Sequence, residues 1–173
     1  MTRIAVFGTT GSGKSTLAEK VAARTGLRVI ELDALFWGPG WQPTPTPVFR
    51  ERVERATRGD NWIVAGNYGQ VRDLVWRPAD TLVWLDLPLP LVMARLLRRT
   101  VRRIATAEDL WGTGNRESFV GSFLSSESIL LWALQTHRSN RDEFTRECAL
   151  FADGRCVVRL KSADNVDRFV SAL

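Results

Sequence analysis

The sequence predicts an α/β fold in which helices cover both faces of a parallel β-sheet. Two observations carry this prediction. Short apolar runs of strand character alternate with longer helical segments along the 173 residues, as expected for repeated strand–helix–strand units. In addition, the glycine-rich turn at residues 8–13 directly follows the first apolar run and opens a helical segment. The length is near that of one domain, so residues 1–173 are expected to form a single domain.

The individual elements follow from local patterns of apolar residues and their punctuation. Buried-type apolar runs predict five strands, at residues 3–7, 28–32, 62–65, 81–86 and 156–160. Helical patterns occupy residues 14–25, 48–58, 91–103, much of 122–150, and 165–172. Gly26 is the stop signal of the first helix, and Leu87-Pro88 closes the fourth strand. Residues 105–121 are polar and aperiodic, which predicts a mobile loop.

The composition excludes several classes of protein. Only two cysteines are present, Cys148 and Cys156, and there is no His/Cys cluster, so neither a disulfide framework nor a zinc site is expected. No signal-peptide pattern and no run of roughly 20 apolar residues is found, so we expect a cytoplasmic protein without a membrane partner. The net charge of +5, dominated by arginine, suits an anionic partner, either a nucleotide or a nucleic acid.

The most specific motif is the run Gly-Thr-Thr-Gly-Ser-Gly-Lys-Ser at residues 8–15, which matches G-x-x-x-x-G-K-[ST]. Glycines let the backbone approach phosphate oxygens, and the N-terminus of the following helix attracts the anion. Lys14 is expected to bridge the β- and γ-phosphates, and Ser15 to bind Mg²⁺. We therefore predict an ATP site, or a GTP site, with Mg²⁺. Its nucleotide-binding residues are Gly8, Gly11, Ser12, Gly13, Lys14, Ser15 and Thr16.

Several later segments carry a resemblance to a known family. They are Glu31-Leu32-Asp33, Phe36-Trp37-x-Pro39-Gly40-Trp41, Trp62 to Tyr68, and Thr81 to Pro88. With the phosphate loop, they resemble the nucleoside monophosphate kinase group, which includes adenylate, shikimate and gluconate kinases. They are most similar to the adenylate-kinase-related "topology modulation protein" family.

This resemblance implies a three-layer P-loop fold with a five-stranded parallel sheet of order 2-3-1-4-5. It also implies an acceptor-binding region at residues 34–60 and a lid with its following helix at about 104–140. The implied activity is transfer of the γ-phosphoryl group of ATP to a small acceptor, with a nucleoside monophosphate as the acceptor suggested by the adenylate kinases.

Candidate acceptor residues follow the second and third strands, whose carboxyl ends line the ligand crevice in such sheets. Glu31 and Asp33 are two apart, so we expect both carboxylates on one side, with Asp33 accepting a proton from the acceptor or holding Mg²⁺ through water. Asn67 and Tyr68 should face the same crevice, where Gly66 would permit close approach of a substrate. Arg72 is a candidate clamp for an acceptor phosphate or carboxylate.

The basic segment after the fourth strand supplies candidate phosphate ligands. Arg95 and Arg99 are four apart and share one face of a predicted helix, and the adenylate-kinase resemblance implies contacts with adenine and phosphates. Arg138 is a further catalytic candidate, and the other candidates for this cage are Arg116 and Arg141. Kinases of this group often carry an Asp before the glycine at 66, but this chain has Ala65. The Mg²⁺ shell would then depend on Ser15 with Glu31, Asp33 or Asp86.

Two other functions remain open at this stage. Arginines 95–103 could contact a nucleic-acid backbone, as in a nucleotide-dependent regulator, although no dedicated DNA-reading motif is present. A plain ATPase or nucleotide sensor is the other alternative, and the long Pro-rich region between the second and third strands speaks against it. A kinase acting as a monomer or weak dimer on ATP and a small molecule is the favoured prediction, and a nucleic-acid partner is not favoured.

Overall fold

A computed structural model describes residues 2–124, 128–151 and 155–173. Its centre is a five-stranded sheet of β1 (Thr2–Gly8), β2 (Arg28–Glu31), β3 (Asn61–Ala65), β4 (Thr81–Leu85) and β5 (Cys156–Leu160). The strands lie in the order β2-β3-β1-β4-β5, and every neighbouring pair is parallel. The predicted α/β class and the strand order 2-3-1-4-5 are both confirmed.

Seven α-helices surround the sheet within the described residues. They are α1 (Lys14–Thr25), α2 (Leu32–Phe36), α3 (Thr46–Ala56), α4 (Arg72–Trp76), α5 (Leu89–Thr106), α6 (Ile129–Phe151) and α7 (Ala163–Ser171). A small antiparallel pair of Trp37–Gly38 with Gln42–Pro43 forms a hairpin between α2 and α3. None of the helices described is both long and apolar enough to cross a membrane.

Each face of the sheet carries an apolar core, which is why the strands read as continuous apolar runs. One core is aromatic and includes Phe7, Trp62, Trp76, Trp84 and Phe144. The other is aliphatic and is formed by residues such as those at 17, 21, 63, 83 and 170. The three tryptophans of the aromatic core are at most 3% exposed.

The main local difference from the sequence prediction lies after β2. We expected the strand to run through Leu32, but it ends at Glu31 and α2 begins at once. The reason is packing, because Leu32 is 2% exposed and its side chain lies against Gly66 of the neighbouring strand end. Asp33 therefore lies in the first turn of a short helix and not on a strand.

Two segments after α5 also differ from expectation. Residues 105–121 are not uniformly irregular, because α5 continues to Thr106 and Leu110 pairs with Asn115 in an antiparallel bridge. The helix predicted within 122–150 begins only at Ile129 and is preceded by one π-helical turn, Val120–Leu124. Residues 125–127 of that predicted helix lie outside the described part of the chain.

Candidate nucleotide and acceptor site

The phosphate loop connects the end of β1 to the start of α1. Ser12 N–H donates to the Thr9 carbonyl at 3.1 Å, which closes the turn. Lys14 Nζ donates to the Gly8 and Thr9 carbonyls at 3.0 and 3.2 Å, so its ammonium group lies over the loop. Burial lowers the pKa of Lys14, and the nearby Asp33 carboxylate opposes that shift. The arrangement places a cation beside the exposed helix N-terminus, where an anion is stabilised.

Helix α5 packs directly on the phosphate loop. A Cβ added at Gly11, whose φ is +81°, would lie 2.9 Å from the Leu96 Cβ and 3.1 Å from the Val92 carbonyl. Only glycine therefore allows this approach. The packing brings Arg95 to the loop, where its guanidinium donates to the Ser12 carbonyl at 3.2 Å. The structure thus brings together Arg95 and the loop residues as the sequence predicted.

Ser15 and Glu31 form the next part of the site. The Ser15 hydroxyl donates to Glu31 Oε2 at 2.9 Å, and Glu31 Oε1 is buried without a hydrogen-bond partner among the described residues. Burial raises the pKa of Glu31 to about 7, against the lowering effect of the Ser15 hydrogen bond. An unpartnered carboxylate oxygen next to the loop serine is the oxygen chemistry that Mg²⁺ prefers. Ala65, at the end of β3, is buried and offers no such group.

Asp33, in the first turn of α2, is hydrogen-bonded to Tyr68, which follows β3. The Tyr68 hydroxyl donates to Asp33 Oδ1 at 2.6 Å. Burial and then the Asp33 charge raise the pKa of Tyr68 above its ordinary value, so the phenol remains a donor at neutral pH. One oxygen of Asp33 is thereby held by Tyr68, and the Lys14 charge is close enough for the two to influence each other.

Arg72 is engaged by acidic side chains that sequence reasoning did not identify. Its guanidinium contacts Glu143 at 2.6 Å and Glu147 at 3.4 Å, and it donates to Asn67 Oδ1 at 3.3 Å. It also lies 5.1 Å from the Trp76 ring centroid, and its side chain is only 10% exposed. The two glutamates are four residues apart on α6, a spacing that places them on one helix face. That spacing is the only signal in the sequence that pointed to them.

Gly66 has a packing role. Its φ is +149°, and a Cβ at this position would lie 2.6 Å from the Leu32 Cβ. Any side chain would therefore collide with the start of α2. Close approach of a substrate is not needed to explain this glycine, which revises the sequence-based expectation.

The arginines of α5 are partly paired with acids from the segment that follows. Glu117 lies 2.9 Å from Arg103 and 4.0 Å from Arg99, and Glu108 lies 3.2 Å from Arg102. Burial lowers the pKa of Arg99, with the Arg103 charge acting in the same direction and Glu117 opposing it. The positive charge of Arg99 also lowers the pKa of Lys14, so the two side chains are close enough to influence each other.

The candidates on α6 differ in the contacts that they make in this structure. Arg141 lies 3.1 Å from Asp86, which Arg159 also contacts at 2.7 Å, so Asp86 is occupied as a structural anion. A contribution of Asp86 to the Mg²⁺ shell stays a prediction, and it would require Asp86 to leave these two arginines. Arg138 is exposed on α6, and no hydrogen bond or ion pair joins it to the described residues. His137 contacts the Leu87 carbonyl at 3.1 Å, in agreement with a structural role.

The hairpin after α2 and the segment after α5 are joined by one buried side chain. Asn115, 2% exposed, accepts from the Trp41 N–H and donates to the Gly38 carbonyl, both at 2.9 Å. The Trp41 and Trp111 rings also meet edge to face, with centroids 6.0 Å apart. Sequence reasoning did not identify this contact, because its partners are more than 70 residues apart.

Comparison with known proteins supports the fold of the chain but does not show its activity. No protein-family model matches the chain, and no curated protein matches it. Among solved structures it is similar to a sugar kinase from Janibacter sp. HTCC2649, at 21% identity and a TM-score of 0.55, over 99% of this chain and 94% of that one.

Two further solved structures share this likeness. A gluconokinase from Sinorhizobium meliloti 1021 is 18% identical, with a TM-score of 0.51 over 99% of this chain and 94% of its own. A shikimate kinase from Bacteroides thetaiotaomicron is 14% identical, with a TM-score of 0.54 over 99% and 95%. At these identities the comparisons establish that the chain has the P-loop kinase fold.

Proposed function

We propose that the protein is an ATP-dependent kinase that transfers the γ-phosphoryl group of ATP to a hydroxyl of a small acceptor. The single observation that carries this proposal is the meeting of Lys14, Ser15, Glu31 and Asp33 at the carboxyl ends of β1 and β2. A phosphate loop alone would account for nucleotide binding. A carboxylate held opposite that loop adds the group that phosphoryl transfer to a hydroxyl requires.

The reaction would use these groups in a defined order. The acceptor oxygen forms a bond to the γ-phosphorus, and the bond from that phosphorus to the β-bridging oxygen breaks, which releases ADP. The acceptor proton passes to Asp33, through the oxygen that Tyr68 does not hold. Lys14 and Arg95, with Arg99 beside them, would neutralise negative charge on the phosphates, which is the main catalytic contribution in phosphoryl transfer.

The residues present fit a magnesium ion. Ser15 with Glu31 would hold Mg²⁺ at the phosphates, because Glu31 has a buried oxygen without a partner in the described structure. The bound ion would supply charge neutralisation of the phosphates. No group of three or more His, Cys, Asp or Glu side chains among the described residues is placed to hold a metal on its own. The phosphates themselves would therefore be the other ligands, as is usual for Mg²⁺.

Only analogy with other kinases indicates which class of compound the acceptor belongs to. The resemblance to adenylate kinases favours a nucleoside monophosphate, and the structural likenesses widen the choice to acceptors of other small-molecule kinases. A nucleic-acid role for the arginines of α5 remains an alternative, but Glu108 and Glu117 already pair with three of them. For the same kinase, we also propose that residues 34–60 form the acceptor region and that about 104–140 form a lid with its following helix.

ADP release from ATP–Mg²⁺ across a panel of acceptors tests this proposal, with a reaction lacking acceptor as the baseline. The panel contains nucleosides, nucleoside monophosphates, neutral sugars, gluconate and shikimate, with duplex DNA as a separate reaction. We expect a large acceptor-dependent rise that falls by about 10²- to 10⁴-fold in Asp33→Asn, since a general base contributes that much. ADP release that is equally slow with every acceptor would contradict a small-molecule kinase.

A further inference from the structure

The charges around Arg72 restrict what the acceptor side can bind. Arg72 carries one positive charge, and Glu143 and Glu147 surround it with two negative ones. Asp33 adds a further carboxylate beside Tyr68. An anionic acceptor brought to Arg72 would have to displace one of these glutamates or approach an excess of negative charge. The acceptor side of the site is therefore matched to a neutral molecule.

Two other arginines of the acceptor region are also occupied. Arg50 forms a two-pronged pair with Asp73, with N–O distances of 2.8 and 2.7 Å. Arg52 is held by the Leu35 carbonyl at 3.1 Å and the Thr44 hydroxyl at 3.0 Å. Neither arginine is directed to Asp33 by the contacts that the structure describes, so neither supplies a ready site for a phosphate or carboxylate.

Aromatic rings lead from Asp33 into the hairpin. Tyr68, which holds Asp33, lies 4.7 Å from the Phe36 ring, and Phe36 lies 4.9 Å from Trp37. The Trp37 ring then meets Trp41 at 5.7 Å, edge to face. These rings form a continuous aromatic path that begins at the carboxylate opposite the phosphate loop.

Part of this aromatic path is exposed to solvent, and its backbone has an unfavourable conformation. Trp41 is 38% exposed, and both Trp41 and Trp111 adopt φ of 58°, in the left-handed region that non-glycine residues rarely occupy. Strain of this kind is kept only where the surrounding structure imposes it, and it is concentrated at ligand sites. At Trp41, the buried Asn115 contributes to this restraint by accepting a hydrogen bond from the Trp41 N–H.

We propose that the acceptor is an uncharged compound that combines a flat ring with a hydroxyl group, the chemistry of a nucleoside, and that Trp37 and Trp41 bind its ring while Asp33 receives its hydroxyl. This inference rests on the proposed kinase function. It departs from the nucleoside monophosphate suggested by the adenylate-kinase resemblance, because the glutamates already occupy Arg72, the predicted clamp for an acceptor phosphate. In the transfer, the nucleoside hydroxyl oxygen bonds to the γ-phosphorus, its proton passes to Asp33, and ADP leaves.

Titration calorimetry tests the inference without requiring turnover. The protein is saturated with Mg²⁺ and the β,γ-imido analogue of ATP, so that the donor site is filled. Adenosine, guanosine, cytidine and uridine are then titrated, each beside its own 5′-monophosphate, with glucose, gluconate and shikimate as acceptors of other classes. We expect at least one nucleoside to bind about tenfold or more tightly than its monophosphate and than every sugar or sugar acid.

Two sets of variants test the residues involved. Trp37→Ala should weaken nucleoside binding about tenfold, the loss typical of one base–aromatic stack. Leu150→Ala, at an exposed position near the end of α6 and outside the proposed lid and acceptor regions, should leave binding unchanged. The double variant Glu143→Gln with Glu147→Gln should narrow the preference for nucleoside over monophosphate about tenfold, because Arg72 is then free. Circular dichroism spectra establish that each variant is folded.

The outcomes separate this inference from the kinase proposal. Tightest binding of a monophosphate, a sugar or a sugar acid overturns the inference, as does the absence of nucleoside binding. Phosphoryl transfer to such an acceptor in the ADP-release assay would keep the kinase and reject the nucleoside. Nucleoside binding that depends on Trp37, without any phosphoryl transfer, would keep the binding site and reject the kinase.

Discussion

Lys14 is the residue on which the proposed nucleotide binding should depend most directly. Its ammonium group rests on the Gly8 and Thr9 carbonyls, so a phosphate can replace those contacts without moving the backbone. Lys14→Ala should weaken ATP–Mg²⁺ binding about 10- to 100-fold, the value of one or two charge-assisted hydrogen bonds. Calorimetric titration measures the change.

The matched control for that change lies on the same helix. Lys20 is exposed on α1 and pairs only with Asp167, at 3.4 Å on the surface. Lys20→Ala should bind ATP–Mg²⁺ as the wild type does. Equal losses in the two variants would show that general positive charge, and not the phosphate loop, attracts the nucleotide.

Glu31 should give the metal-free protein an unusual dependence of stability on pH. Its folded-state pKa is about 7 against an ordinary 4.5, because burial disfavours the charged form. The stabilisation from this group is therefore present below about pH 4.5 and lost as the pH rises through 7. A difference of this size corresponds to roughly 3 kcal/mol of unfolding free energy.

Glu31→Gln removes the titrating group and should remove this loss. We measure the unfolding free energy of the variant minus that of the wild type, in EDTA. This difference should increase by up to roughly 3 kcal/mol between pH 5 and pH 8, because only the wild type loses stability. Urea unfolding at the two pH values measures the difference. A constant difference between the two proteins at both values would contradict the burial of an unpaired carboxylate.

The phosphate-loop residues could be predicted from the sequence because their spacing is fixed by one continuous loop. The pairing of Arg72 with acidic side chains could not be predicted in this way. Its partner Glu143 is 71 positions away, and only the fold brings the two together. Asp86 illustrates the same limit: its position at the end of a strand suggested a metal ligand. Two arginines from later elements occupy it instead.

At the scale of an element, the end of α5 stores strain that a glycine would relieve. Ala107 caps this helix with φ of 47° and ψ of 40°, in the left-handed region. Ala107→Gly should stabilise the protein by about 1 kcal/mol, because the Cβ penalty disappears. Ala94→Gly, at an exposed position inside the same helix, should destabilise it by a similar amount. Urea denaturation compares the two, and the same sign for both would disprove this account of the cap.

Asn115 joins two elements that the sequence treats as separate. Asn115→Ala removes its hydrogen bonds to the hairpin at Gly38 and Trp41. We expect a local loss of about 1–3 kcal/mol, and so hydrogen exchange at the Trp41 amide at least about fivefold faster. Arg116→Gln, at the exposed neighbouring position, is the control. Unchanged exchange at Trp41 would mean that ring packing alone holds the two segments.

Element types were easier to predict than element bounds. The strands read as short apolar runs, so all five were found from the sequence pattern, whereas their order was implied by the family resemblance. Where the chain turns is set by tertiary contacts, as at Leu32, whose packing against Gly66 ends β2 one residue early. The position of Asp33 relative to Glu31 depended on that turn, and no local pattern revealed it.

At the scale of the whole molecule, α6 holds the carboxyl end of the sheet together from one side. Its Phe144 is 1% exposed in the aromatic core, its glutamates hold Arg72, and Arg141 reaches Asp86 at the end of β4. Asp86 in turn is bonded to Arg159 of β5, which stacks on Trp84 at 4.1 Å. The Asp86 carboxylate therefore links the end of β4 to α6 and β5.

Asp86→Asn tests whether this tie is structural. The Asp86 side chain is only 4% exposed, but Arg141 and Arg159 are 52% and 34% exposed and can be solvated when unpaired. The cost should therefore be about 1–3 kcal/mol of unfolding free energy, below the 3–5 kcal/mol of a fully buried pair. Asp167→Asn, in a surface pair, should cost less than about 1 kcal/mol.

The same variant separates a structural Asp86 from a metal-binding one. If Asp86 only ties elements together, the Mg²⁺ concentration that half-saturates ATP binding should be the same in Asp86→Asn and the wild type below the unfolding temperature. Glu31→Gln, by contrast, should raise that concentration about tenfold, because it removes a charged group next to Ser15. Should Asp86→Asn raise it as well, Asp86 would have to leave its arginines when the nucleotide binds, and the sheet end would rearrange around the bound metal.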